Sequence, residues 1–199
     1  SQEITINRPA ISRSIVFLIA QCFSLATLNG RALAQAQEVF NNFAAGDTYD
    51  TGMSWIISGS ASDTGYATRV GMPFYNAGPS YTLDSIELAV TKYKGSTGFK
   101  VSLHSNLGGN PGPELEAITG HAPDGFLNPG AITKLPSVVK PLIESGKAYY
   151  IVLETNPSGS DGQVNWHWNT VGSGGFYRYT FDGGASWFTS VVTFSAFRV

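Results

Sequence analysis

Few residues in this chain have the type and spacing that reaction chemistry demands. Three histidines, His104, His121 and His167, lie in separate segments, and none has a helical His-x-x-x-His partner for zinc. Glu114 and Glu116, two apart, are expected on one face of a strand, where they could serve as an acid and base pair for glycoside hydrolysis. The plainer reading is a pair of edge carboxylates beside a Pro-Gly turn, which discourages pairing with another sheet. Neither a Gly-x-Ser-x-Gly nucleophile elbow nor a phosphate-cradling Gly-x-x-x-x-Gly-Lys-Ser/Thr loop occurs. No catalytic residue is assigned, and the chain is not expected to be an enzyme.

Binding chemistry has more to work with. Trp166-His167-Trp168 places both indoles on one face of a strand and the imidazole on the other, so the indoles could stack on sugar rings. Aromatic residues at that spacing also serve to fill the space between two sheets. Asp47 and Asp50, near Gly46 and Gly52, offer oxygen ligands for a structural Ca²⁺, although the EF-hand spacing is missing and Asp in such turns commonly bonds the backbone. No other cofactor is expected. Thr180-Phe181-Asp182-Gly183-Gly184-Ala185-Ser186-Trp187 resembles the Asp-box of sialidases and other secreted β proteins. Its logic is that of a structural hairpin: Asp182 accepts amide N–H bonds across the turn, Gly184 takes positive φ, and Trp187 packs beneath, with Thr180 and Ser186 flanking.

The elements that must position these groups read as strands. Ile86, Leu88 and Val90 alternate with Glu87, Ala89 and Thr91; Val101 and Leu103 alternate with Ser102 and His104; Tyr149, Ile151 and Leu153 alternate with Tyr150, Val152 and Glu154. That period of two marks half-buried strands. Clusters such as Asn76-Ala77-Gly78-Pro79, Gly108 to Pro113, Asn156-Pro157-Ser158-Gly159 and Asp182-Gly183-Gly184 supply the reversals between them. The best helix candidate, Pro136 to Ser145, is interrupted by Pro141 and is read as the approach to a strand. The expected fold is all-β, a single antiparallel β-sandwich or jelly-roll-like domain over residues 35–199.

Residues 1–34 read differently. Arg8 and Arg13 precede an apolar stretch from Ile15 to Leu28, and Ala32-Leu33-Ala34 supplies the small-x-small pattern of a signal peptidase site. The stretch is shorter than the roughly 20 residues that a spanning helix needs, so a secretory signal is expected and a permanent transmembrane helix is not. The single cysteine, Cys22, lies within it, which leaves the remainder without a thiol or disulfide. The whole chain of 199 residues carries 12 Lys and Arg against 14 Asp and Glu, and setting aside residues 1–34, with three Arg and one Glu, moves the formal charge from -2 to -4. A mildly acidic chain with only 13% charged residues is neither a basic nucleic-acid binder nor an acidic disordered tail.

From Phe40-Asn41-Asn42-Phe43, Gly46 to Asp50 and Ser54 to Gly59, through Tyr81 to Ala89, Val101 to His104 and Gly108 to Gly112, to Asp182 to Trp187 and Ala196 to Val199, the pieces resemble the choice-of-anchor R domains of bacterial exported proteins, in the family's order. The resemblance implies an extracytoplasmic β-rich domain held at a cell surface by an interchangeable C-terminal sorting signal, and implies no activity. Up to Val199 there is no Pro-Glu-Pro or Leu-Pro-x-Thr-Gly motif, so anchoring by those routes is not expected of the sequence as it stands. The expected role is that of a non-enzymatic, secreted cell-surface or extracellular-matrix domain, structural or adhesive, whose partner is a surface or matrix component such as a glycan. Two alternatives stand beside it: a carbohydrate-binding, lectin-like module, and a self-assembling subunit that forms homo-oligomers through open sheet edges.

Overall fold

The alternating runs and their Gly/Pro reversals produce thirteen strands in the computed structural model, which describes residues 37–125 and 132–199. The signal-like segment 1–34 and Cys22 lie outside the described residues. Glu38–Val199 form one unit, and among the described residues there is no helix, hence none long and apolar enough to cross a membrane.

In chain order the strands are β1 (Ser54–Ser58), β2 (Arg69–Tyr75), β3 (Tyr81–Thr82), β4 (Ser85–Lys94), β5 (Gly98–Leu107), β6 (Asn110–His121), β7 (Ile132–Pro136), β8 (Leu142–Ile143), β9 (Ala148–Thr155), β10 (Gln163–His167), β11 (Gly174–Thr180), β12 (Phe188–Thr193) and β13 (Phe197–Arg198). All paired strands run antiparallel. One sheet has β1 at an edge beside β10; β10 and β13 share one side of β4, and β7 pairs with its other side. The second sheet runs β12-β11-β2-β9-β5-β6, and β3 pairs with β8 in a small accessory ladder. Apart from the hairpins β5–β6 and β11–β12, consecutive strands belong to different sheets, so the chain crosses between layers in jelly-roll fashion.

The core lies between the two large sheets. Ile57, Val164, Trp166, Val90 and Phe197 from one sheet meet Val70, Met72, Ile151, Leu153, Val101 and Leu103 from the other, all buried in one cluster. Each such aliphatic or aromatic side chain contributes about 1.5–3 kcal/mol by leaving water.

Two strands expected to be half-buried are buried on both faces. On β4, Ala89 and Thr91 are fully covered although they point away from the core. Residues 39–50 account for part of this: Phe43 and Tyr49 pack with Ala89 and Ala196 in a second apolar cluster. On β9, Tyr150 and Val152 are covered by the far end of the β5–β6 hairpin, which folds back over the outer face of its own sheet. Register slips between Leu103 and Asn106 supply the bend. Gly71 admits the returning tip, because a Cβ there would meet Pro111 Cγ at 3.3 Å and Val152 Cγ2 at 3.4 Å. The six-stranded sheet therefore curls into a half-barrel.

Candidate functional site

The residues with catalytic potential are scattered or committed to structural bonds. The expectation that Glu114 and Glu116 share a face is corrected by the bulge, in which Glu116 opposes Leu103 and Glu114 opposes His104. One unpaired residue reverses the phase of the strand. Glu116 is buried and caps the turn after β7, accepting hydrogen bonds from Ser137 Oγ at 2.5 Å, Val138 N at 2.6 Å and Val139 N at 2.9 Å. Burial pushes its carboxyl upward, but those three donors outweigh it and hold the group below its usual range.

His104 lies beneath the folded-back hairpin. Its Nδ1 is 2.8 Å from the Gly112 carbonyl oxygen and must donate to it, which leaves Nε2 to accept from Ser102 Oγ at 2.9 Å. Tyr150 donates to the Gly109 carbonyl at 2.6 Å, and Arg178 Nε donates to Asn110 Oδ1 at 2.8 Å. These bonds pin the hairpin tip across β9, β2 and β11. Alongside runs a row of charges, Arg69 to Glu154 at 2.6 Å, Glu154 to Lys100 at 2.5 Å and Lys100 to Glu114 at 3.6 Å, which stitches four neighbouring strands together. His121 ends β6, near Thr97. His167 is buried on the other sheet, 2.8 Å from Thr91 Oγ1, and burial pushes its imidazole below the usual range. The three histidines do not converge.

Asp47 and Asp50 are committed to different partners. Asp47 takes a positive φ of 58° in a turn and pairs with Arg198 at 2.9 Å, while Asp50 Oδ1 accepts from the amides of Gly52 and Met53. Among the described residues no three His, Cys, Asp or Glu side chains gather as a metal cluster would require.

The Trp166 and Trp168 platform is also corrected. Both indoles share one face, but it is the face turned toward the opposite sheet. Trp166 is completely buried and donates its indole N–H to the Ala196 carbonyl at 3.1 Å. Trp168 is half-buried and packs against Trp55. A side chain sealed between sheets has no face to offer a sugar.

Thr180, Asp182, Gly184, Ser186 and Trp187 do come together, in the turn joining β11 to β12. Asp182 accepts from Ser186 Oγ, Thr180 Oγ1 and Ser186 N, bonds that hold its carboxyl far below the usual carboxylate range. Gly183 and Gly184 take φ of 74° and 95°, and the Trp187 ring lies against Gly184. The turn fixes the hairpin whose strands carry the molecule's most distinctive surface.

That surface is a run of aromatic rings. Trp168 touches Trp55, Trp55 lies 4.7 Å from Tyr177, Tyr177 is 5.6 Å from Tyr179, and Tyr179 meets both Phe188 at 5.4 Å and Phe181 at 5.5 Å. Tyr66 closes the run edge-on against Phe181 at 4.8 Å. The cause is local: Tyr177, Tyr179 and Phe181 project from one face of β11 and its extension, and Phe188 stands opposite Tyr179 on β12. β1 lies over β2 and β9, so the β11–β12 hairpin projects past the edge of the facing sheet. Exposure rises accordingly, from 2% at Tyr177 to 45–49% at Tyr66, Phe181 and Phe188. At the inner end the Trp55 and Trp168 indole N–H groups are buried with no hydrogen-bond partner among the described residues. Each such donor carries a desolvation cost of about 1–3 kcal/mol that an acceptor would relieve. The signal in the sequence was Tyr177-x-Tyr179-x-Phe181, alternating apolar rings directly before the Asp-box-like turn.

Compared with family models, with curated proteins and with solved structures, the chain matches none.

Proposed function

We propose that this chain is a non-enzymatic domain that acts outside the cell, at a cell surface or in an extracellular matrix, in an adhesive role, and that the partner it grips is a glycan. The observation that carries this reading is the aromatic run from Trp55 to Tyr66 on the overhanging hairpin, more than half a dozen rings long when Trp168 is included. The outer rings of the run, Tyr66, Phe181 and Phe188, are about half exposed and offer flat apolar faces to the C–H side of pyranose units, while the inner rings anchor them to the core. The hydroxyl of Tyr66, on a ring 45% exposed at the outer end of the run, offers a hydrogen-bond partner to the oxygen-rich rim of the same ligand. The signal-like pattern of residues 1–34 and the resemblance to choice-of-anchor R domains support the placement outside the cell.

A glycan array followed by affinity electrophoresis tests this. The chain should be retarded by at least one polysaccharide, and Tyr66→Ala combined with Phe188→Ala should weaken that retention about tenfold. Both side chains are about half exposed, so their truncation spares the core. Retention that survives the double substitution removes the aromatic run from the reading. No retention on any glycan removes the glycan.

A further inference from the structure

The four edges of the two large sheets are not equally protected. On β6 the exposed edge carries Pro111, Pro113 and Glu114 together with a bulge, and β7 carries Lys134 and Pro136. On β1 the Ser58 carbonyl is already taken by Thr68 N at 2.8 Å. β12, Phe188–Thr193, has the sequence Phe-Thr-Ser-Val-Val-Thr, with no charge, no Pro and no bulge. It lacks the devices that keep an edge strand single.

Among the described residues β12 pairs on one side only, and its register with β11 says which backbone groups turn to the other side. Phe194 N donates to the Ser173 carbonyl at 2.9 Å, one step beyond the Gly174 and Thr193 pair. Antiparallel ladders alternate, so Ser190 and Val192 share the parity of Phe194 and turn their main-chain groups toward β11, while Thr189, Val191 and Thr193 turn theirs outward. We infer that β12 is a strand-addition site for a second copy of this chain, pairing antiparallel about a two-fold axis that passes midway between the two Val191 residues. In that register Val191 of one copy faces Val191 of the other, and Thr189 faces Thr193. All are uncharged β-branched residues, which form good cross-strand pairs, and every outward N–H on one copy meets an outward carbonyl on the other. The pairing also sets Val191, 62% exposed on the outer face, beside its symmetry mate, and makes one continuous sheet of the two six-stranded ones.

Sedimentation velocity on the intact chain, across concentrations up to about 1 mM, tests this. The wild type should shift from monomer to dimer. Val191→Pro deletes the outward N–H without touching the bonds to β11, and Val191→Lys places a charge on the axis; each should raise the apparent Kd at least about tenfold. Should the proline variant fail to fold, the exposed lysine variant carries the test. A wild type that stays monomeric throughout, or a dimer whose Kd is unchanged in the folded variants, overturns the inference.

Discussion

Glu116 shows how far one residue can depart from what its neighbours suggest. Its three donors make it an anchor for residues 137–139, and its position one residue past the bulge separates it from Glu114. Replacing Glu116 with Gln retains the shape and leaves one oxygen to accept from the Val138 and Val139 amides, but it puts an NH₂ where Ser137 Oγ donated and exchanges three charge-assisted bonds for neutral ones. A loss of about 1–3 kcal/mol is expected in denaturant unfolding at neutral pH. The pH dependence has a definite sign. The folded carboxyl sits below its unfolded value of 4.5, so its contribution is fully present above that value and is lost as pH falls through the lower folded one. Unfolding free energies measured from pH 6 downward should therefore fall less steeply in Glu116→Gln than in the wild type below about pH 4.5. A parallel pair of curves contradicts this assignment.

At the scale of elements, the curled β5–β6 hairpin depends on few bonds. His104→Ala removes both the link to the Gly112 carbonyl and the acceptor for Ser102. We expect a cost of about 1–2 kcal/mol and faster hydrogen exchange at the amides of Leu107 to Asn110 and of Gly112, with the amides of β4 and β10 unchanged. Exchange that stays slow at the tip places its restraint on Tyr150 and Arg178 instead. The strands themselves were legible: alternation at Ile86 to Val90, Val101 to Leu103 and Tyr149 to Leu153 is a local consequence of the pleat, and each stretch is a strand. The second covering layer was not legible. Whether Val152 or Thr91 meets water is decided by a hairpin tip and by residues 39–50, which lie far away in the sequence. Alternation likewise put Trp166 and Trp168 on one face, but it cannot say which face looks inward. The aromatic run was half legible, since the Tyr177, Tyr179 and Phe181 spacing is local while Trp55 and Tyr66 join it only in three dimensions.

At the scale of the whole folded unit, Glu38–Val199, the seam between its first and last residues matters most. Arg198 on β13 binds Glu87, Asp47 and Glu38 and lies over the Phe43 ring, while Lys134 reaches Glu87 from the other side. The side chain thus ties residues 38–50 to the last strand. Arg198→Met keeps the aliphatic stem and removes the charge. About 2 kcal/mol should be lost, less than for a buried carboxylate left alone, because Lys134 still faces Glu87. Limited proteolysis should then cut between residues 38 and 50 before any strand of the sandwich; an unchanged cleavage pattern contradicts the role given to Arg198.

The same seam has a mechanical side. Val39 N donates to the Val199 carbonyl, Val199 N donates to the Phe40 carbonyl, and Asn41 bridges Arg198 in antiparallel sense, so the chain enters and leaves the sandwich at one corner. A pull applied to both ends opens this short ladder one bond at a time, like a zip, before tension reaches the β4, β10 and β9 ladders. On the adhesive role proposed above, the corner is then expected to yield first under load, as a fuse does, while the aromatic run on β11 and β12 stays in shape.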